Sequence, residues 1–249
     1  MEVASLWRYP VKSMRGEQLT ELELGPDGVV GDRSYGVLDI TSGTVVSAKR
    51  DRRLFEGAAR YEGAQLLVSV PGAEDMQPGD TLDRELSRWL GRPARLVGAA
   101  THGTATFEAN EDAEDETTGT VRWQGLPGTF VDESHLLLLT TGELHQLAAE
   151  RPDLQWDVRR FRPNVVLSAG ATALAAPGGK RARLGAAEVE LQYACTRCVM
   201  TSRAQPGGLE RQLDVLRHVV RAHDNEVGYR ARVVCGGTVR VGDKLDPCA

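Results

Sequence analysis

Apolar and polar positions alternate with a period of two through much of this chain. Residues 3–11, the run Leu19, Glu21, Leu22, Glu23, Leu24, and the segment Ala187-Glu188-Val189-Glu190-Leu191 each read as a half-buried strand. Shorter apolar runs at 45–48, 64–70, 94–97, 136–141 and 165–168 read as further strands. Gly236-Gly237 between 229–235 and 238–241 predicts a hairpin. Helical spacing is rarer. It is expected over 52–61 behind an Asp51 cap, and over 82–90, where Leu82, Leu86, Trp89 and Leu90 form a stripe. Asp80 or Thr81 would cap that helix and Gly91 would close it. A third helix is expected over 142–151, with Thr141 as its cap and Pro152 as its stop. A fourth is expected over 209–222, with Leu209, Leu213, Leu216 and Val220 inward. The β-α-β-α-β texture between about 43 and 98 predicts a compact α+β lobe within a mainly β protein. Residues 101–119 show no period. Glu108, Glu111, Asp112, Glu114, Asp115 and Glu116 crowd there, which predicts a solvated mobile loop rather than a cation site.

Composition narrows the classes. At 249 residues, the chain can bury a core without metal or disulfide staples, as one large domain or two small ones. A net charge of −5 and 5% aromatics argue against a nucleic-acid platform and against an acidic membrane surface as partner. No apolar run approaches the roughly 20 residues of a membrane span, and no signal peptide opens the chain. A cytoplasmic protein with reduced cysteines is expected.

The chemistry gathers around Cys195-Thr196-Arg197-Cys198, followed by Thr201 and Ser202. Two thiols, a guanidinium and hydroxyls suit a soft metal or an anion, although a cysteine also packs well as a small apolar residue. A four-cysteine zinc site would need Cys235 and Cys248 to converge on the pair, and the second close-spaced pair usual for zinc is missing. Cations stand at strand ends beside small residues: Lys12-Ser13, Arg33 in Gly31-Asp32-Arg33, and Arg162-Pro163-Asn164. Such positions let a cation and nearby backbone reach one anion. Arg159 and Arg160 read as a solvated face, and His218 and His223 read as residues without a metal-ligand partner.

Six segments, in order, resemble the MOSC family (molybdenum cofactor sulfurase C-terminal-like) with its N-terminal companion region. They are Tyr9-Pro10-Val11-Lys12-Ser13, Gly31-Asp32-Arg33, Val46-Ser47-Ala48-Lys49, Phe161-Arg162-Pro163-Asn164-Val165-Val166, Arg197-Cys198-Val199-Met200-Thr201 and Gly237-Thr238-Val239-Arg240-Val241-Gly242-Asp243. Within that family the sequence is similar to amidoxime-reducing enzymes. The resemblance implies an α+β fold: a mainly β MOSC barrel with peripheral helices plus a small α+β lobe. The barrel would be discontinuous, 1–43 and 112–249, with the lobe inserted at 44–111; in family terms the N-terminal region spans about 1–110 and the MOSC region about 111–249.

It also implies a molybdenum–molybdopterin cofactor, with Cys198 as metal ligand and catalytic residue. Lys12, Ser13, Arg33, Asp132, Ser134, Arg162, Asn164, Arg197 and Thr201 would form the cofactor-binding set. The implied reaction is reduction of small N-hydroxylated compounds. No cysteine set for a fused [2Fe–2S] domain is present, so a separate ferredoxin- or cytochrome b5-type donor would supply electrons. The acidic run that reductase relatives carry after the Thr201 position is replaced by Ser202-Arg203-Ala204-Gln205-Pro206, which bears on the substrate pocket. Two other functions suit the same residues: a sulfur carrier with a persulfide on Cys195 or Cys198, and a cofactor-binding module without turnover.

Overall fold

Strands dominate, as the period-two patterning requires. The computed structural model describes residues 1–112, 118–172, 174 and 178–248. Its largest element is an eight-stranded sheet. The order is Leu245–Pro247, Arg181–Leu184, Ala187–Thr196, Glu226–Cys235, Leu136–Thr140, Val165–Ser168, Glu2–Arg8 and Glu17–Leu19. Neighbours are antiparallel, except that Leu136–Thr140 and Val165–Ser168 run parallel, which obliges a crossover through the helix Thr141–Glu150. The sheet curls until Glu2 bridges Lys244 and the backbones of Met1 and Leu245 bond to each other. Inside the curl lies one apolar core, including Leu6, Leu136, Leu138, Val165, Val189 and Ala231. The alternation is visible residue by residue: in Glu21–Gly25, Leu22 and Leu24 are buried while Glu21 and Glu23 are exposed.

A second core holds Val11, Met14, Val37, Leu54, Phe55, Val68 and the inward stripe Leu82, Leu86 and Leu90. That stripe belongs to the helix Asp80–Leu90, which Gly91 ends in the left-handed conformation. The helix packs on the strand Ala94–Gly98, itself paired with Tyr35–Asp39. The result is a mainly β fold with peripheral helices and a small α+β region, as the patterning predicts. No helix among the described residues is long and apolar enough to cross a membrane.

Several local expectations fail for identifiable reasons. Residues 52–61 are not one helix: a 3-10 turn, Arg52–Phe55, gives way at Gly57 to the strand Ala58–Glu62, paired with Gln65–Ser69. Only Leu54 and Phe55 are buried in that turn, too few to anchor a longer helix. The glycine pair at 236–237 makes no hairpin. Gly237–Arg240 leaves for a different sheet and pairs with Glu21–Gly25. A Cβ on Gly237 would stand 2.7 Å from the Ala186 carbonyl, so the glycine serves close packing rather than a turn. Residues 106–110 and 120–124 form a hairpin where a loop was expected, organised by buried Phe107 against Trp123 and Phe130. Glu114, Asp115 and Glu116 of the acidic run lie outside the described residues. Helix caps shift by one: Thr140, not Thr141, forms a reciprocal capping box with Glu143, and Gly79 opens the Asp80–Leu90 helix without a side-chain cap. The last long helix begins at Leu213, because 205–212 is held in an irregular loop.

Candidate functional site

Segments leaving the ends of several strands converge on one cleft. The chain after Glu2–Arg8 is zipped to the 31–35 turn: Tyr9 N–H donates to Asp32 Oδ1 at 2.7 Å, Arg33 N–H to the Tyr9 carbonyl at 2.8 Å, and Lys12 N–H to the Tyr35 carbonyl at 2.8 Å. Phe130 N–H donates to the Arg33 carbonyl at 3.0 Å, which brings the 130–134 loop alongside. The turn Val158–Phe161 and the loop after Cys195 complete the wall. The cleft encloses about 760 Å³, its open mouth included. Six cations line it, Lys12, Arg33, Arg160, Arg162, Arg197 and Arg230, against the single carboxylate of Asp132. Asp32 and Glu133, outside the lining, pair with two of the six, Arg33 and Arg230.

The backbone carries its own signal. Only five non-glycine residues among those described have positive φ, and three are cleft residues: Ser13 at 67°, Arg33 at 45° and Arg162 at 54°. Side chains with a Cβ adopt this region at a cost, and such strain persists where surrounding contacts impose it. At Arg162 the left-handed turn ends the short helix behind Asp157, whose carboxylate caps it through Arg159 N–H. The turn sends the Arg162 guanidinium into the cleft while its carbonyl accepts from Arg33 Nη2 at 3.3 Å.

Arg33 and Arg162 lie over the Tyr9 ring, at 4.4 and 4.2 Å. Arg33 is paired with Asp32. The Arg162 guanidinium has no hydrogen-bond acceptor among the described residues, and its Nη2 is fully buried. Burial, reinforced by Arg33, pushes its pKa down to about 10. Tyr9 is also buried, which pushes its hydroxyl up to about 12, and that hydroxyl has no partner among the described residues. Arg197 donates from Nη2 to the Phe161 carbonyl at 2.7 Å and from Nη1 to Cys195 Sγ at 3.0 Å, leaving a buried Nε without a partner among the described residues.

The two thiols differ sharply. Cys195 is 1% exposed and bound to Arg197, whereas Cys198 is exposed on the cleft wall. Thr201 does not reach the cleft; its hydroxyl donates to the Cys198 carbonyl at 2.9 Å and closes the turn that presents Cys198. Cys235 and Cys248 are exposed, and among the described residues no cluster of metal-ligand type includes a cysteine.

Lys12 donates to Asp132 Oδ1 at 2.7 Å and to the Phe130 carbonyl at 2.8 Å, and Lys49 reaches Asp132 Oδ2 at 3.2 Å. Burial lowers Lys12 to about 8, with Asp132 opposing. Asp132 itself stays far below the usual carboxylate range, because the two ammonium groups outweigh its burial. Burial disfavours the Lys49 charge, but Asp132 and Cys198 hold its pKa above normal. Ser13 accepts from Ala48 N–H at 2.9 Å, and its hydroxyl hydrogen has no acceptor among the described residues. Ser134 donates to the Ala231 carbonyl at 2.9 Å. Asn164 accepts from Leu137 N–H at 3.3 Å and donates to the Trp7 carbonyl at 3.4 Å, so its amide ties two strands together behind the cleft.

Three participants escaped the sequence reading. Arg160, expected on a solvated face, is wholly buried and bonds to the carbonyls of Gln155, Thr201, Arg203 and Glu210. Tyr9 and Lys49 were visible only as members of motifs. A shallower opening adjoins Cys198, lined by Lys49, Asn110, Trp123, Val199 and Leu216, with the Lys49 ammonium 4.5 Å over the Trp123 ring.

Family models cover nearly the whole chain: the MOSC N-terminal beta barrel domain matches residues 1–117 and the MOSC domain residues 126–246. The chain belongs to the MOSC family. Among curated MOSC relatives, human mitochondrial amidoxime reducing component 2 is 25% identical, over 98% of this chain and 82% of its own. Human molybdenum cofactor sulfurase is 22% identical over 91% of this chain, which spans only 29% of that longer protein. Among solved structures, the YUAD protein from Bacillus subtilis superposes on 98% of this chain and 93% of its own, with a TM-score of 0.46 and 11% identity.

Proposed function

We propose that this MOSC protein binds a molybdenum–molybdopterin cofactor in the cationic cleft and reduces N-hydroxylated compounds, with electrons from a separate ferredoxin- or cytochrome b5-type donor. The observation that carries the reading is the buried Arg162 guanidinium, without an acceptor among the described residues, in the same cleft as the exposed Cys198 thiol. A buried cation lacking a counter-ion is costly, and a dianionic phosphate offsets that cost through charge-assisted bonds. The kinship with amidoxime reducing components and molybdenum cofactor sulfurase supports the same cofactor.

The donor set fits the group. Arg162 and Arg197 line the cleft and each carries a buried donor, Nη2 and Nε, without an acceptor among the described residues; Ser13, Lys12 and Arg33 line it too and add a hydroxyl and charge. Cys198 would supply the soft thiolate that a molybdenum centre takes. When bound, the cofactor supplies two electrons to the N–O bond. The chain's own residues bind and orient. Asp132 keeps the Lys12 and Lys49 ammonium groups in place, Thr201 holds the Cys198 turn, and Asn164 and Ser134 fix the backbone behind them. The opening beside Cys198, walled by Lys49, Asn110, Trp123 and Leu216, gives a substrate access to the proposed metal ligand. A persulfide carrier would use Cys198 alone and leave Arg162 without an anion, while Cys195 is too buried to meet a sulfur donor.

Purification from a host that makes the cofactor tests the proposal. About one molybdenum and one pterin per chain are expected, with molybdenum and amidoxime reduction lost in Cys198→Ser and retained in Cys195→Ala. Protein without either component would overturn it. Loaded protein inactive on hydroxylamines and amidoximes would reduce it to a binding module.

A further inference from the structure

Away from the cleft, and sharing no lining residue with it, Glu150, His218 and His223 meet on one side of the molecule. Glu150 ends the helix Thr141–Glu150, His218 lies in the helix Leu213–Ala222, and His223 stands one residue beyond that helix. Both imidazole Nε2 atoms aim at the same carboxylate oxygen, Glu150 Oε2, at 2.8 Å from His218 and 2.7 Å from His223. All three donor atoms lie within 4.8 Å of one another.

Neighbouring side chains touch the cluster on two sides. Gln146 Nε2 donates to the other carboxylate oxygen of Glu150 at 2.8 Å. The Trp156 ring meets the His218 ring edge-on at 5.8 Å, and its Nε1 is fixed to the Arg151 carbonyl at 2.8 Å. The histidine side chains are 15% and 19% exposed and that of Glu150 32%, so the cluster is sheltered but open on one side to solvent. Arg151 is paired with Asp153 at 2.6 Å, so the neighbourhood is not a bare acidic patch that would only repel itself.

We infer that Glu150, His218 and His223 form a metal site for a divalent cation of the zinc class, stapling the two helices. Two imidazole nitrogens and one carboxylate oxygen are the ligand type that zinc, nickel and copper prefer, with a fourth position left to water. Calcium and magnesium, which want oxygen ligands, are poorly served. Without metal, each ring must turn an Nε2–H toward the shared oxygen; a bound cation replaces those two protons. Gln146 takes the role of a supporting partner that orients a ligand carboxylate.

Zinc uptake by the full chain, measured by equilibrium dialysis, tests the inference, with exposed thiols controlled by comparison within one background. The parent is expected to take up one zinc equivalent more than His218→Ala/His223→Ala. Glu150→Gln, which preserves shape, is expected to weaken that equivalent at least about tenfold. Nickel should quench Trp156 emission in the parent and in Cys198→Ser, but not in the double histidine variant. Equal zinc uptake by parent and double variant, with no nickel quenching that depends on the histidines, would overturn the site and leave a hydrogen-bonded cluster only. Should the double variant fail to fold, parent against Glu150→Gln decides in the same way.

Discussion

Arg160 and Arg162 stand two residues apart, and both are buried, at 0% and 7% exposure. Arg160 donates to four backbone carbonyls, those of Gln155 at 2.7 Å, Thr201 at 3.0 Å, Arg203 at 3.3 Å and Glu210 at 2.8 Å. Arg162 donates to none and rests on the faces of Tyr9 and Phe55. Burial lowers the pKa of both, so neither is placed for its own comfort. One arginine has become part of the protein's scaffold, pegging the loop that follows Cys198. The other has no acceptor among the described residues, and the proposed function gives it an anion. Burial alone therefore does not separate the two arginines; the count of internal acceptors does.

The largest effect should come from breaking the peg. Arg160→Met removes the donors and strands several carbonyls in a buried loop, which should cost about 3–5 kcal/mol of stability. Urea unfolding would show the midpoint falling, and the exposed Cys198 turn should lose its order with it. A loss below about 1 kcal/mol would mean that the loop 201–212 holds itself.

The counterpart at the neighbouring position has the opposite sign in stability. Arg162→Met removes a buried charge without a partner and keeps an apolar stem over Tyr9, so the unliganded fold should be unchanged or firmer by about 1 kcal/mol. Cofactor retention should fall at least about tenfold, since a charge-assisted bond to an anion contributes about 1.5–3 kcal/mol. The two readouts together, unfolding midpoint and pterin content, distinguish the arginines. Equal destabilisation by both substitutions would erase the contrast.

How much of this was legible in the residues depends on distance along the chain. The strands and the inward Leu82, Leu86 and Leu90 stripe follow from local period, because each register repeats within a few residues. The proposed ligand set was legible as motifs, and all of it except Thr201 lines one cleft. Arg160 was not legible. Its acceptors at 201, 203 and 210 are brought to it by tertiary packing, and a lone arginine beside Arg159 looks solvated. The Glu150–His218–His223 cluster was hidden for the same reason, with Glu150 68 residues before His218. The Gly236-Gly237 turn failed because two glycines signal close backbone approach as readily as they signal a hairpin.

Lys12 offers the smallest and most selective test, since it is a cleft cation that can shed its charge near physiological pH. Burial holds it at about 8, below its ordinary 10.5, even with Asp132 beside it. Between those values the unfolded chain carries the extra proton, so this group makes the folded protein more stable as pH rises from about 8 toward 10.5. Below pH 8 both states hold the proton, and the full cost of burying the ammonium is present. Anion binding should run the other way, weakening as Lys12 loses its charge. Lys12→Met should therefore flatten the gain in the urea midpoint and the loss of cofactor retention between about pH 8 and 9, below the range in which Arg162, at about 10, sheds its charge. Asp132 keeps Lys49 at 3.2 Å in that variant, so its carboxylate is not left alone. Arg162, held at about 10, stays charged near pH 8 and contributes no step there. A parent midpoint profile parallel to that of Lys12→Met would place Lys12 with Arg160, as scaffold, instead of with Arg162.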